Sequence, residues 1–189
     1  MKKTKALFGF LILLAVSGVA LAQEAKPAGP PTIAQVLNHS ISGGESEFVS
    51  AAEAMPEDKY SFAPTNGEFK GVRTFAQQVK HVAAVNYMLG AAILEEKPPV
   101  DVSGESGPDS IKTKADIVKY LKDSFAYVHK AAGTINEGNL LKPVKNPFGE
   151  GMVTRLGLAN VVVGHCFDHY GQIVEYLRMN GIVPPASRR

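Results

Sequence analysis

The sequence predicts an all-α fold, a four-helix bundle of up-down type with long connecting loops. Three observations predict it. Apolar residues recur at i, i+3/i+4 spacing in four separate stretches. A threonine stands at the start of each stretch as a candidate N-cap. No segment shows the sustained alternation of a half-buried strand.

The chain opens with the grammar of an export signal. Lys2, Lys3 and Lys5 form a basic region, Ala6 to Ala20 an apolar one, and Ala20-Leu21-Ala22 the small-x-small pattern that precedes cleavage, here before Gln23. A retained anchor is the rival reading, but the apolar run 6–22 is short for the roughly 20 residues of a spanning helix. No cysteine stands at the cleavage position, so nothing supports a lipid anchor. The expectation is a periplasmic or secreted protein with no membrane attachment after cleavage.

Loss of residues 1–22 changes the charge. The full chain has 20 Lys+Arg against 18 Asp+Glu. Its signal carries three lysines and no acid, so the mature 167 residues hold a formal −1. The remaining charges form no basic face of the kind nucleic-acid binding requires. Cys166 is the single cysteine, so no intrachain disulfide forms. Residues 23–31, QEAKPAGPP, are a flexible linker, and 32–189 are expected to form one domain.

Thr32 with Gln35 makes a capping box that opens the first helix, carried by Ile33, Val36, Leu37, Ile41, Phe48, Val49 and Ala52 to about Met55. Gly43-Gly44 interrupts it, and His39 on this helix reads as solvated. Residues 56–71 are a Pro/Gly/Asn-rich loop, with Tyr60, Phe62 and Phe69 to pin it onto the bundle. Thr74 with Gln77 repeats the capping box and opens a helix to about Glu95 that contains His81. Residues 96–112 are a long polar loop, a candidate mouth or lid. Thr113 with Asp116 starts a clean amphipathic helix through Ile117, Leu121, Phe125, Val128, Ala132 and Ile135. His129 flanks that stripe and reads as a surface or boundary residue. Residues 138–151 are a further connection. Thr154 then caps the last helix, which stops at Asn180-Gly181 with Pro184-Pro185 beyond.

The chemistry concentrates in that last helix. His165 and His169, four positions apart, lie one above the other on one face, so both rings can reach one metal ion. His81, in a separate apolar helix, is the natural third ligand. Neutral imidazole suits zinc, nickel, iron or copper. Three protein ligands leave a position open for water or substrate, as in catalytic zinc sites, and water held there would be the nucleophile. A buried, hydrogen-bonded histidine is the plainer reading of any one ring. Three unpartnered rings on apolar helices would carry a desolvation cost that a shared ion offsets.

In the metalloprotease pattern H-E-x-x-H a glutamate follows the first histidine as general base. Here Cys166 holds that position, so peptide hydrolysis by that route is not supported. Cys166 points about 100° round the helix from His165 and reads as a small buried residue. Asp168 reads as pointing away from the ligands, placed to pair with or orient a neighbour. Gln172 and Tyr176 follow the histidines on their face, and Asn86 and Tyr87 could line the same cavity. Gln172, Tyr176 and Asn86 are the candidates to support the metal ligands.

His81 and the segment HCFDHYGQIVEYLRMNGIVPP (165–185), with AMPEDKYSFAP (54–64) and FKGVRTFAQQVKHVA (69–83), resemble the DinB-like (DNA-damage-inducible, YfiT-related) superfamily. The resemblance spans nearly the whole mature chain. It implies a four-helix bundle in which His81, His165 and His169 hold a divalent metal, nickel or zinc. It implies homodimers, of which the residues themselves carry no independent sign. Related proteins include transferases and isomerases that use mycothiol or bacillithiol, and many have no assigned reaction. The family name refers to damage induction and implies no binding of DNA. An export signal separates this chain from the cytosolic setting of those thiols.

The expected function is an exported divalent-metal-dependent enzyme of hydrolase or transferase type acting on a small molecule. Two alternatives stand beside it: a non-catalytic bundle that binds metal or a small ligand, and a fold in which the ion serves stability alone.

Overall fold

The computed structural model describes residues 29–188, and Pro31 onward forms one compact unit. The signal at 1–22 and residues 23–28 of the linker lie outside the described residues.

Each helix begins where its threonine cap places it. Helix α1 (Ile33–Ala54) and helix α2 (Phe75–Leu94) open with reciprocal boxes. The Thr32 and Thr74 hydroxyls accept from the Gln35 and Gln77 N–H groups at 3.2 Å. The two Gln side chains accept from the Thr N–H groups at 2.8 Å. Thr113 accepts from the Asp116 N–H at the start of α3 (Lys114–Ala132), and Thr154 from the Gly157 N–H at the start of α4 (Arg155–Met179). Such caps satisfy N–H groups that a helix start leaves orphaned, at about 1 kcal/mol each.

α1 packs against α3 and α4, and so does α2, which leaves α1 and α2 across the bundle from each other. Helix directions follow from who touches whom. Asn86 bonds Ser124 and Gly90 abuts Tyr127, so α2 and α3 run the same way. Arg73 meets Tyr176 and Glu95 meets Arg155, so α2 and α4 run oppositely. The bundle therefore runs up-down-down-up, which refines the simple up-down expectation. The cause is the loop 95–113. α2 is about 30 Å long, and this loop is long enough to return along its flank. It does so, and α3 starts beside α1's end, where the Lys114 ammonium donates to the Glu53 and Met55 carbonyls at 2.7 Å.

That returning loop also explains why α2 is apolar nearly all the way round. α3, α4 and the loop cover three of its sides, and fifteen of its residues are buried. Phe48, Phe75, Leu89, Phe125, Ile173 and Leu177 fill the centre with no more than trace exposure, each worth about 1.5–3 kcal/mol of apolar burial.

Gly44 does not break α1. It lets α4 approach, since a Cβ at that position would stand 3.1 Å from Cys166 Sγ. Tyr60 and Phe62 do pin the 56–71 loop: the Tyr60 hydroxyl donates to the Ala52 carbonyl at 2.8 Å, and Phe62 packs edge-on to Tyr176. Phe69 is exposed and does not. One element was not expected. Pro143–Lys145 (β1) and Met152–Thr154 (β2) form an antiparallel hairpin within and just after the 138–151 connection, with Val144 opposite Val153. Three-residue strands, one starting with proline, are too short to show alternation.

Candidate metal centre

Antiparallel packing sets the register of α2 on α4. Arg73 faces Tyr176, Gln78 faces His169 and Gln172, and His81 faces His165. One turn of α4 separates its two histidines, so the three rings meet in one place. Ring centroids lie 4.9 Å (81–165), 4.7 Å (81–169) and 4.5 Å (165–169) apart. One nitrogen from each ring lies within 4.8 Å of one from each of the others. His81 and His169 are buried and His165 half-buried.

Hydrogen bonds fix which nitrogens face inward. His81 Nδ1 donates to the Glu105 carbonyl at 2.5 Å, and His169 Nδ1 to Gln78 Oε1 at 2.7 Å. A carbonyl oxygen only accepts, so in both rings Nδ1 carries the proton and Nε2 presents a lone pair. His165 Nε2 stands 3.1 Å from His81 Nε2. Two imidazole nitrogens bound at about 2.0–2.1 Å to one tetrahedral ion stand roughly 3.3 Å apart. The donor set and its spacing therefore fit a divalent ion. His165 Nδ1 is buried with no partner among the described residues.

The electrostatics suit neutral ligands. Burial pushes the His165 ring down to about 3, helped by the charges of His169, His81 and Arg73. Burial likewise takes His169 to about 4 and lowers His81, where the bond to Glu105 opposes the shift. All three rings are uncharged at neutral pH, the form that binds metal.

An amide relay supports His169. Gln78 Nε2 donates to Gln172 Oε1 at 2.7 Å, and Gln172 Nε2 reaches Asp168 Oδ2 at 3.4 Å. Asp168 was expected to point away. Its exposed carboxylate lies 4.0 Å from His169 Nε2, at the edge of the cluster, although its link through Gln172 does orient a neighbour. Of the other candidates, Gln172 joins the site. Tyr176 sits two turns along, donating to the Arg73 carbonyl at 3.0 Å. Asn86 turns to α3 and donates to Ser124 Oγ at 3.2 Å, and Tyr87 packs on Tyr120 and Tyr127. Neither lines the histidine cluster, because positions five and six beyond His81 fall on another face of α2. Cys166 is buried against Gly44, its thiol pushed up to about 12 by burial. His39 is exposed, and His129 bridges Asn38 and Glu45 of α1 at 2.5 and 3.0 Å.

Two contributors carry no role in the sequence reading, although Gln78 stands there at helical spacing with His81. Gln78 had a signal, three positions before His81 and so on its face. The Glu105 carbonyl had none, since a main-chain acceptor carries no residue-type signature. It is held there by the returning loop. Lys80 Nζ donates to the Pro108 carbonyl at 2.9 Å, and the Tyr120 hydroxyl to the Asp101 carbonyl at 3.2 Å. Gly107, at φ +71°, lies flat on Lys80.

Solved structures share this fold. A DinB-like protein from Bacillus cereus matches at 12% identity and a TM-score of 0.59, over 79% of this chain and 93% of its own. The DinB-like protein YjoA from Bacillus subtilis matches at 17% identity and 0.61, over 82% and 99%. YfiT from Bacillus subtilis, described as a probable metal-dependent hydrolase with an unusual four-helix bundle topology, matches at 19% and 0.58, over 84% and 95%. At these identities the likeness speaks for the fold. No curated protein matches the sequence significantly. The family model of the DinB superfamily matches residues 40–173, which span α2 and α3, most of α1 and α4, and the three converging histidines, and the chain belongs to that superfamily.

Proposed function

We propose that the protein is an exported, divalent-metal-dependent enzyme of hydrolase or transferase type. In this reading His81, His165 and His169 hold the ion, nickel or zinc, and the substrate is a small molecule. The observation that carries it is the convergence of three uncharged imidazoles, two of them with Nδ1 tied off so that Nε2 faces the centre. A divalent ion in such a site supplies Lewis acidity and an open coordination position. The chain's own residues do the rest. The Glu105 carbonyl and Gln78 hold two rings in the right tautomer. Asp168, at the solvent edge, is placed to accept a proton from a group approaching the centre. Cys166 faces α1 and takes no part as nucleophile. YfiT's description as a probable metal-dependent hydrolase supports the hydrolase half of the reading.

Export rests on the basic, apolar and Ala20-Leu21-Ala22 pattern. Among the described residues no helix is long and apolar enough to cross a membrane. N-terminal sequencing of protein recovered from the cell exterior or periplasm should begin at Gln23. The activity is tested by incubating metal-loaded protein with ester, amide, phosphoester and thiol-transfer substrates. Turnover lost in His165→Ala supports an enzyme. Tight metal uptake with no turnover supports the second reading, a non-catalytic binding module. One observation favours that second reading: a cavity of about 690 Å³ lies apart from the histidines, none of which lines it.

A further inference from the structure

That cavity lies at the C-terminal end of α2, between that helix, the returning loop and the hairpin. Its floor is Met88, Ala91 and Ala92, Val102 of the returning loop closes one side, and Met152 of the hairpin closes another. Met88 lies seven positions beyond His81, about 10 Å along the helix. Its volume falls in the range of small-molecule sites. The lining is apolar at depth and charged at the rim, where Glu95, Glu96, Lys97 and Lys145 stand.

The rim charges are not equivalent. Glu95, held in the left-handed region at φ 58° by the helix end, receives Lys142 and Arg155. Glu96 receives the Tyr127 hydroxyl and lies 3.9 Å from Lys130. Both acids thus already have partners outside the cavity lining. Lys97 and Lys145 make no ion pair or side-chain hydrogen bond among the described residues. The rim charges left without a partner there are both positive. Apolar surface also continues outward there, with Met152 63% and Phe148 42% exposed.

We propose that this cavity is a second binding site, separate from the histidine cluster, for an amphipathic organic anion: a hydrocarbon chain or ring against Met88, Ala92 and Met152, with its carboxylate between Lys97 and Lys145. Charge complementarity selects the sign of the head group, and the apolar floor selects the body. This inference goes beyond the enzymatic reading and does not depend on it.

Titration calorimetry with decanoate, decyltrimethylammonium and 1-decanol tests it on the full mature chain at low ionic strength. Decanoate should bind saturably at one per chain, and the cation of equal chain length roughly tenfold or more weaker. Lys97→Glu with Lys145→Glu should reverse that order. Met152→Glu, at an exposed position, should weaken decanoate at least as much. These variants should keep the parent's metal content, so loss of this site and loss of the histidine site are told apart. Non-saturable uptake of decanoate, equal affinity for both head-group signs, or variants that bind like the parent would overturn the proposal.

Discussion

The Nε2 atoms of His81 and His165 stand 3.1 Å apart, although 84 positions separate the two residues in sequence. His81 already spends its Nδ1 proton on the Glu105 carbonyl. Its inward nitrogen therefore offers a lone pair to whatever His165 and His169 share.

Gln78 is the residue through which α2 steadies His169. Gln78→Leu removes the acceptor of the His169 Nδ1 proton and the link to Gln172. Metal affinity, read by competition with a chromophoric chelator, should fall about 10–100-fold, with the helical circular-dichroism signal retained. Unchanged affinity would show that His169 needs no such support.

Stability of the metal-free protein should depend on pH through the three rings. Their pKa values are lowered in the fold, so below about 6.5 the unfolded chain takes up protons that the folded chain refuses. Stability is full above that pH. It falls as pH drops toward about 4 for His169 and about 3 for His165, by at most about 1.4 kcal/mol per pH unit per ring. Urea midpoints of apo-protein at pH 7 and 5 measure this. The His165→Ala/His169→Ala double variant should show a flatter profile.

The adjacent glycines of α1 should behave oppositely. Gly43 faces open space, so Gly43→Ala should stabilise by about 0.5–1 kcal/mol through helix propensity. Gly44 abuts Cys166, and Gly44→Val should destabilise by about 1–3 kcal/mol by separating α1 from α4. Thermal melts of the two variants check both signs.

The returning loop should couple to the metal site. A side chain at Gly107 would meet Lys80 Cβ at 3.0 Å and its carbonyl at 3.2 Å, at a φ that costs an L-residue about 1–2 kcal/mol. Gly107→Val should lift the segment that carries Glu105. Metal dissociation, followed after chelator addition, should then quicken while the four-helix signal persists. An unchanged rate would mean that the Glu105 carbonyl does not govern the His81 ring.

Much of this was legible because its causes are local. The Thr32, Thr74, Thr113 and Thr154 caps are short-range chemistry, and they mark all four helix starts. His165 and His169 share a face by helix geometry alone. What was not legible depends on tertiary paths. The hairpin 143–154 is too short for a periodic signal, and the parallel run of α2 and α3 depends on where an irregular loop travels. Asn86 looked close to His81 by position, but its side chain turns to Ser124 on the far side of α2. The Glu105 carbonyl shows the limit most clearly, since any residue there would supply the same atom.

Metal content tests the central claim most directly. Tag-free mature protein, purified without chelator and analysed by inductively coupled plasma mass spectrometry, should carry about one nickel or zinc ion per chain. The His81→Ala/His165→Ala/His169→Ala variant, folded by circular dichroism, should carry background levels only. A parent protein that takes up no divalent ion even when nickel or zinc is supplied, or a triple variant that retains the full complement, would contradict the account.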